Sequence, residues 1–378
     1  MDRRGLLTGG LAAAGLLASG AARAAVPPSP LVAIRVDPPE VFRTTVCTRP
    51  FREAGPRIEV ETIGRKIVVR NYGHGGSGWS LSWGSAAEAV GLAMQSSPKD
   101  IAVIGAGALG LTAAITAQRA GAKVTIYARE RFPFVRSARA TGSWTPDSRI
   151  AKAAAVSPGF GDLWERMARR ALSMHQAYVS LPGSPVEWMD NYVMHDPPQP
   201  PDPSDAPEDD PGFLYLQSRI RDVSPRYSDV PNDKHPFASD NVRMGPQMTF
   251  NVAAYSHQLE QDFLAAGGTF AHADFTSPGD FAHLKEHVVV CCTGYDSRQL
   301  WKDNSIVPVR GQIVWLVPQE GVHYGVSHGS LIVLARRDGI VVQETGRNEN
   351  FGMGIEDETV DEDAKQAALD KLKLIYRA

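Results

Sequence analysis

The stretch DIAVIGAGALGLTAAITAQRAGAKVTIYARE, residues 100–130, sets the tightest limit on what this chain can become. Residues 100–104 read as a short apolar strand, 107–120 as a helix and 122–128 as a second strand, which together make a βαβ unit. Glycines at 105, 107 and 110 fall where the first strand turns into the helix. Such glycines permit a tight turn and let a pyrophosphate approach the helix N-terminus, where unpaired N–H groups favour an anion. Gly105, Gly107, Leu109 and Gly110 are therefore expected to hold a dinucleotide, and Glu130, just past the second strand, to bind ribose hydroxyls. The fingerprint alone does not separate NAD from FAD.

Composition narrows the surroundings of that unit. Of 378 residues 43% are hydrophobic and 21% charged, with a formal net charge of −3, which suits two domains or one large two-part fold. No basic stripe stands out, so nucleic acid is not expected as a partner. Cys291 and Cys292 are adjacent and cannot readily bridge, and with Cys47 they leave no basis for a disulfide framework. They read as small buried apolar residues rather than nucleophiles. No CxxC, HExxH or clustered His/Asp/Glu spacing predicts a metal.

The first 24 residues, MDRRGLLTGGLAAAGLLASGAARA, combine Arg3-Arg4, an Ala/Gly/Leu stretch and the small-x-small ending Ala22-Arg23-Ala24. That is the pattern of a twin-arginine export signal, with a membrane anchor as the alternative. The expectation is cleavage near Ala24–Ala25, with the twin-arginine machinery as an export partner and a periplasmic mature protein. After VPPSP (26–30), residues 41–48 and 65–70 read as strands and 82–95 as a helix. Residues 160–180 read as helix, 249–268 as strand into helix, 287–294 as a buried strand, 306–317 and 331–344 as strands, and 359–376 as a closing helix. The Pro- and Asp-rich run 196–212 reads as a loop, either a flap or a plain surface insertion.

A second glycine cluster, NYGHGGSGWSLSWGSA (71–86), precedes the fingerprint. Together with CTRPFREAGPRIE (47–59), VVVCCTGYDSRQL (288–300) and VPVRGQIVWL (307–316), it resembles the D-amino acid oxidase family of flavoproteins. YARERFPFVRSARATGSWTP (127–146) and MTFNVAAYSHQLEQDFLAAGGTF (248–270) are similar to further segments of that family. The resemblance spans nearly all of the chain after the export signal, and it implies FAD as cofactor. The order of segments differs: the family carries its RP motif and HGG loop at the C-terminus, whereas here they come first, and the chain stops at LKLIYRA, inside the helix that in the family leads to the RP strand. This is the pattern of a circular permutation, with the new join near QSSPK (95–99).

The fold expected is α/β, a Rossmann-like FAD-binding domain joined to an antiparallel-sheet substrate domain. The permuted segment covers 25–98, the FAD-binding domain 99–160 and 270–305, and the substrate domain 161–269 and 306–378 with the loop 196–212. By resemblance, Arg49 binds the substrate carboxylate, a task that suits a planar bidentate cation. Arg52 and Arg57 are nearby alternatives for that task that read rather as binding structural carboxylates, while Gly75, Gly76, Gly78, Trp79 and Ser80 bring backbone to the flavin, with Gly76 also turned to the substrate amine. Thr293 and Gly294 match flavin-contacting positions, as does Arg310, whose structural reading stays open; His74 reads as structural rather than as an acid or base. The family's active-site tyrosines are absent from VHYGVSHGSLIVLARRDGIVVQET (322–345), and Tyr324 is the expected substitute. The reaction implied is oxidation of a D-amino acid to a 2-oxo acid, with ammonia and hydrogen peroxide as products and oxygen as acceptor. The alternatives are a dehydrogenase passing electrons to a quinone or carrier, and a flavin-binding protein without that activity. The oligomeric state is left open.

Overall fold

Short apolar, β-branched runs build two sheets in the computed structural model, which describes residues 31–195, 212–346 and 349–377. The export signal read over 1–24 and residues 196–211 of the Pro-rich loop lie outside the described residues. No helix among the described residues is long and apolar enough to cross a membrane.

Strands are numbered along the chain: β1 (Val41–Arg52), β2 (Arg57–Ile63), β3 (Lys66–Tyr72), β4 (Asp100–Ile104), β5 (Lys123–Ala128), β6 (Val186–Met194), β7 (Ser228–Asp229) and β8 (Val242–Phe250). They continue with β9 (Thr269–His272), β10 (Val288–Cys291), β11 (Ile306–Leu316), β12 (Tyr324–His328), β13 (Leu331–Arg336) and β14 (Gly339–Glu344). The helices are α1 (Gly78–Ala93), α2 (Ala108–Arg119), α3 (Phe160–Gln176), α4 (Val252–Ala265), the single turn α5 (Ser297–Leu300) and α6 (Glu362–Leu374).

The six-stranded sheet runs β2-β3-β10-β4-β5-β9. Its centre is parallel: Val289 of β10 sits between Val68 of β3 and Ala102 of β4. All three are fully buried, as strands covered on both faces must be, which explains their unbroken apolar sequences. α1 and α2 pack on this sheet, and α3 and α4 join the same core through Trp164, Met167, Leu259 and Phe263. Gly84 is where α1 meets α3, since a Cβ there would fall 2.0 Å from the Met167 carbonyl oxygen.

The eight-stranded sheet runs β1-β11-β14-β13-β12-β6-β8-β7, and is antiparallel except where β12 lies parallel to β6. β1 and β11 pair along their lengths, with Cys47 opposite Gly311 and Arg49 opposite Val309. One face is covered by α6, whose Leu369 and Leu372 meet Val314, Val333 and Val342. The chain's described ends meet below this sheet: Tyr324 Oη donates to the Val32 carbonyl at 2.7 Å and lies 2.8 Å from Tyr376 Oη.

Several features differ from the sequence expectations. The strand expected at 65–70 is one arm of a β2–β3 hairpin, and β6, β9 and β12 were not anticipated. The stretch 25–98 divides between the sheets, giving β1 to the larger and β2, β3 and α1 to the smaller. α3 and α4, inside the range read as substrate domain, pack in the core of the dinucleotide unit.

Candidate dinucleotide and substrate site

A cavity of about 250 Å³ opens where β1, β4, β5 and β10 end against the glycine loop that precedes α1. Two helices begin at its wall. α2 starts after Gly107 and α1 after Ser77, and neither N-cap residue supplies a side-chain hydrogen bond. Their positive dipole ends therefore lie beside the same space, which favours negative charge there.

The fingerprint glycines do distinct work. Gly105 adopts φ +100, and a Cβ on it would sit 2.6 Å from the Cys292 carbonyl oxygen. Gly107 leaves room for Ser137, whose Oγ accepts from the Ala108 N–H at 3.2 Å. Gly110 does not line the cavity. It lets α2 cross the turn, where a Cβ would meet the Gly105 oxygen at 1.9 Å. Leu109, Glu130, Thr293 and Gly294 all line the cavity.

The second glycine cluster closes the other end. Gly75 has φ +53 and no room for a side chain, since its Cβ would lie 1.9 Å from the Arg149 carbonyl oxygen. Gly76 donates its N–H to Ser148 O at 3.1 Å and lines the cavity beside Gly75, Gly78 and Trp79. Trp79 is fixed by its Nε1–H to Ser137 O at 2.8 Å and by stacking on Tyr255 at 5.3 Å.

Arg49 lines the same cavity from β1, and its side chain makes no hydrogen bond or ion pair among the described residues. The neighbouring arginines are committed elsewhere. Arg57 pairs with Asp303 at 2.9 Å, and Arg52 donates to Gly55 O at 2.7 Å and to Ser305 Oγ at 2.9 Å. Tyr72 donates to Asp303 at 3.0 Å, and burial pushes its phenol up to about 12. Arg310 is a clamp for the 357–359 turn, donating to the carbonyls of Asp357 and Thr359.

Behind the glycine loop runs a buried polar chain. His74 Nε2 lies 2.8 Å from Ser85 Oγ, which donates to Asn71 Oδ1 at 2.6 Å, and Asn71 Nδ2 donates to Cys292 Sγ at 3.6 Å. Burial pushes the His74 imidazole down to about 3, so it is neutral. Burial likewise raises the thiols of Cys291 and Cys292, which keeps them protonated and poor nucleophiles.

Two sequence expectations are corrected. Tyr324 is not at the cavity: its side chain points into the core under α6, hydrogen-bonded to Val32 and Tyr376, because its place in β12 directs it to that face. Ser80 is also turned away from the cavity. It lies two residues into α1, and the helical turn carries it inward, where its Oγ accepts from Thr145 N at 2.8 Å. Ser137, Arg136 and the 273–275 segment line the cavity without having been foreseen. Arg136 and Ser137 at least lie in the segment 127–146 that the family resemblance covers.

Glycine turns, two helix N-termini and a cleft along the strand ends define a dinucleotide site at the C-terminal edge of a parallel sheet. The family model for FAD-dependent oxidoreductases matches residues 100–378, and the chain belongs to that family, whose cofactor is FAD. It is 27% identical over 227 residues to a D-amino-acid oxidase of Streptomyces coelicolor, covering 59% of this chain and 61% of that protein. A 62-residue stretch is 61% identical to a D-amino-acid oxidase of Dictyostelium discoideum, covering 16% of this chain and 18% of the relative. The chain thus spans less than two thirds of the length of these relatives. A glycine oxidase structure from Geobacillus kaustophilus shares the fold at a TM-score of 0.50 and 14% identity, over 73% of this chain and 78% of that one.

The residues present fit FAD. Gly78 has nothing within 4 Å of a Cβ position although it lines the cavity, leaving space for a ring against the loop. The two helix ends suit the diphosphate and the electron-rich edge of the flavin.

Proposed function

We propose that this protein oxidises D-amino acids to imino acids, which hydrolyse to 2-oxo acids and ammonia, with oxygen taking the electrons to give hydrogen peroxide. The observation that carries this reading is the Arg49 guanidinium, which has no hydrogen-bond or ion-pair partner among the described residues, in the same cavity as the glycine loop. A free guanidinium beside a redox cofactor is suited to hold a carboxylate through two parallel hydrogen bonds. FAD, when bound, supplies the hydride acceptor. The chain's own part is positioning. Arg49 fixes the carboxylate, and the carbonyl oxygen of Gly76 accepts from the substrate amine. The apolar wall around Trp79 keeps bulk water from the α-carbon.

The chain order reads as a circular permutation of the family. Three observations support it: the family match begins at residue 100, β1 pairs with β11, and β3 lies beside β10. Export through the twin-arginine route belongs to the same proposal, because that route carries folded proteins and suits one loaded with FAD in the cytoplasm.

Anaerobic mixing with a panel of D- and L-amino acids tests the reaction. Bleaching of the flavin by D-enantiomers, followed by one peroxide per reduced flavin on adding air, is expected. Bleaching without peroxide would assign the electrons to another acceptor, and no bleaching with FAD bound would end the reading.

A further inference from the structure

A chain of touching aromatic rings leaves the cavity wall. Trp79 lines the cavity and stacks on Tyr255 of α4, with ring centroids 5.3 Å apart and planes 29° off parallel. Tyr255 in turn lies 5.1 Å from Tyr178, whose hydroxyl donates to the half-buried Asp262 at 2.9 Å. Stacking by itself is ordinary core packing. The partners of the polar tips single this set out.

The hydrogen bonds fix where each proton sits. His175 is fully buried and neutral, its imidazole pushed down to about 3 by burial. Its Nε2 lies 3.3 Å from the Ser80 carbonyl, which only accepts, so Nε2 carries the proton and Nδ1 is bare. Tyr255 Oη accepts from Trp83 Nε1–H at 2.8 Å and gives its own proton to His175 Nδ1, also at 2.8 Å. Tyr255 is thus a fully buried phenol held against a base. Trp79 has no such outlet: its Nε1–H donates to the Ser137 carbonyl, which cannot take the proton. An oxidised phenol is a far stronger acid than an imidazolium, even one disfavoured by burial. Oxidising Tyr255 with loss of its proton is therefore easier than oxidising Trp79 with its proton kept.

We propose that Trp79 and Tyr255 form a one-electron relay that draws oxidising equivalents out of the flavin cavity, with His175 as the base that takes the phenolic proton. The oxidant is a one-electron acceptor in that cavity, for which FAD excited by blue light serves as the probe. It takes one electron from Trp79, and the indole cation radical takes one from Tyr255 as the O–H proton passes to His175 Nδ1. A neutral tyrosyl radical is left beside an imidazolium, with no bond between heavy atoms made or broken. An electron returning along the same rings brings the proton back to Tyr255. Tyr178 and Asp262 repeat the pairing of phenol and base one step further out. The proposal rests on FAD as cofactor and is independent of the substrate, so its failure and a failure of the D-amino acid reading are distinguishable.

The test is transient absorption of the substrate-free holoenzyme after a blue-light pulse. In the wild type an indole cation radical should appear first and give way to a tyrosyl radical, more slowly after full exchange into heavy water. Tyr255→Phe should keep the indole signal and lose the tyrosyl one, and Trp79→Phe should lose the indole signal. His175→Gln should lose the isotope effect together with most of the tyrosyl yield. No indole radical in the wild type, or signals unchanged in any of these variants, would overturn the proposal. A wild-type measurement covers variants that fail to fold. With the radical trapped by illumination at low temperature in protein labelled with ¹⁵N-histidine, electron–nuclear double resonance should show a histidine nitrogen coupled to the tyrosyl radical. A tyrosyl radical without that coupling would also overturn it.

Discussion

Arg49 lies diagonally over Gly311 of the neighbouring strand: a Cβ at position 311 would fall 2.1 Å from Arg49 Nη1. The glycine is the floor on which the guanidinium rests. Gly311→Ala must therefore displace the arginine without touching the dinucleotide turn. We expect kcat/KM for D-amino acids to fall roughly 100-fold, about 3 kcal/mol, with FAD content unchanged. Steady-state kinetics beside the bound-flavin spectrum checks this. Unaltered kinetics would mean that the arginine is not seated as described.

On the proposed reading, in which one cation makes both hydrogen bonds to the carboxylate, Arg49→Ala should raise KM steeply and lower kcat, again with FAD retained. Arg49→Lys should recover little, since a point charge cannot reproduce the planar fork. An unchanged KM in the alanine variant would remove Arg49 from the substrate site.

Gly110 carries a structural prediction. Its missing side chain lets α2 pass over the turn at Gly105, so Gly110→Ala should destabilise the protein by about 3 kcal/mol and weaken FAD binding. Denaturant unfolding of apoprotein and holoprotein measures both. Wild-type stability in this variant would contradict the close crossing.

How much of this was readable from residues depended on how local the cause was. The βαβ unit was legible because strand, glycine turn and helix are contiguous over 100–128 and each carries its own period. Arg49 and the glycine loop were legible only through resemblance, because their significance depends on β11 and β10, more than 200 residues away. Tyr324 was misplaced because a single residue near the start of a five-residue strand gives no clue to which face it will take. β6 and β12 escaped notice for a related reason. Polar residues such as Asp190, Asn191 and Ser327 interrupt them, and their partners come from elsewhere in the sheet.

A buried histidine makes stability depend on pH. His175 is fully buried, its Nδ1 lies 2.8 Å from Tyr255 Oη, and burial pushes its imidazole down to about 3. The unfolded imidazole binds a proton below about pH 6.5, while the folded one stays neutral until about pH 3. Its contribution is therefore fully present above pH 6.5 and is lost progressively as pH falls toward 3. Each such group adds about 1.4 kcal/mol per pH unit to the slope of unfolding free energy in that window. His175→Gln should lower the wild-type slope between pH 6 and 4 by about that amount. Identical slopes would show that the histidine is charged in the fold.

The proposed circular permutation predicts that the chain can be reopened. Val32 and Tyr376 both contact Tyr324 Oη, so a short Gly/Ser joint can link residues 377 and 31. A chain starting at residue 99 and ending at 97 through that joint should fold and bind FAD within about threefold of the parent affinity. Failure of several joint lengths to give a folded flavoprotein would contradict the permutation.

The central claim is that Arg49 and the glycine loop present a D-amino acid to FAD. Stopped-flow anaerobic reduction by paired enantiomers, run on the wild type and on Arg49→Ala at equal flavin loading, tests it most directly. The account predicts rapid loss of flavin absorbance with one or more D-amino acids, little with their L-forms, and at least a 100-fold slower loss in the variant at subsaturating substrate. Equal rates in the two proteins, or a preference for the L-enantiomers, would contradict it.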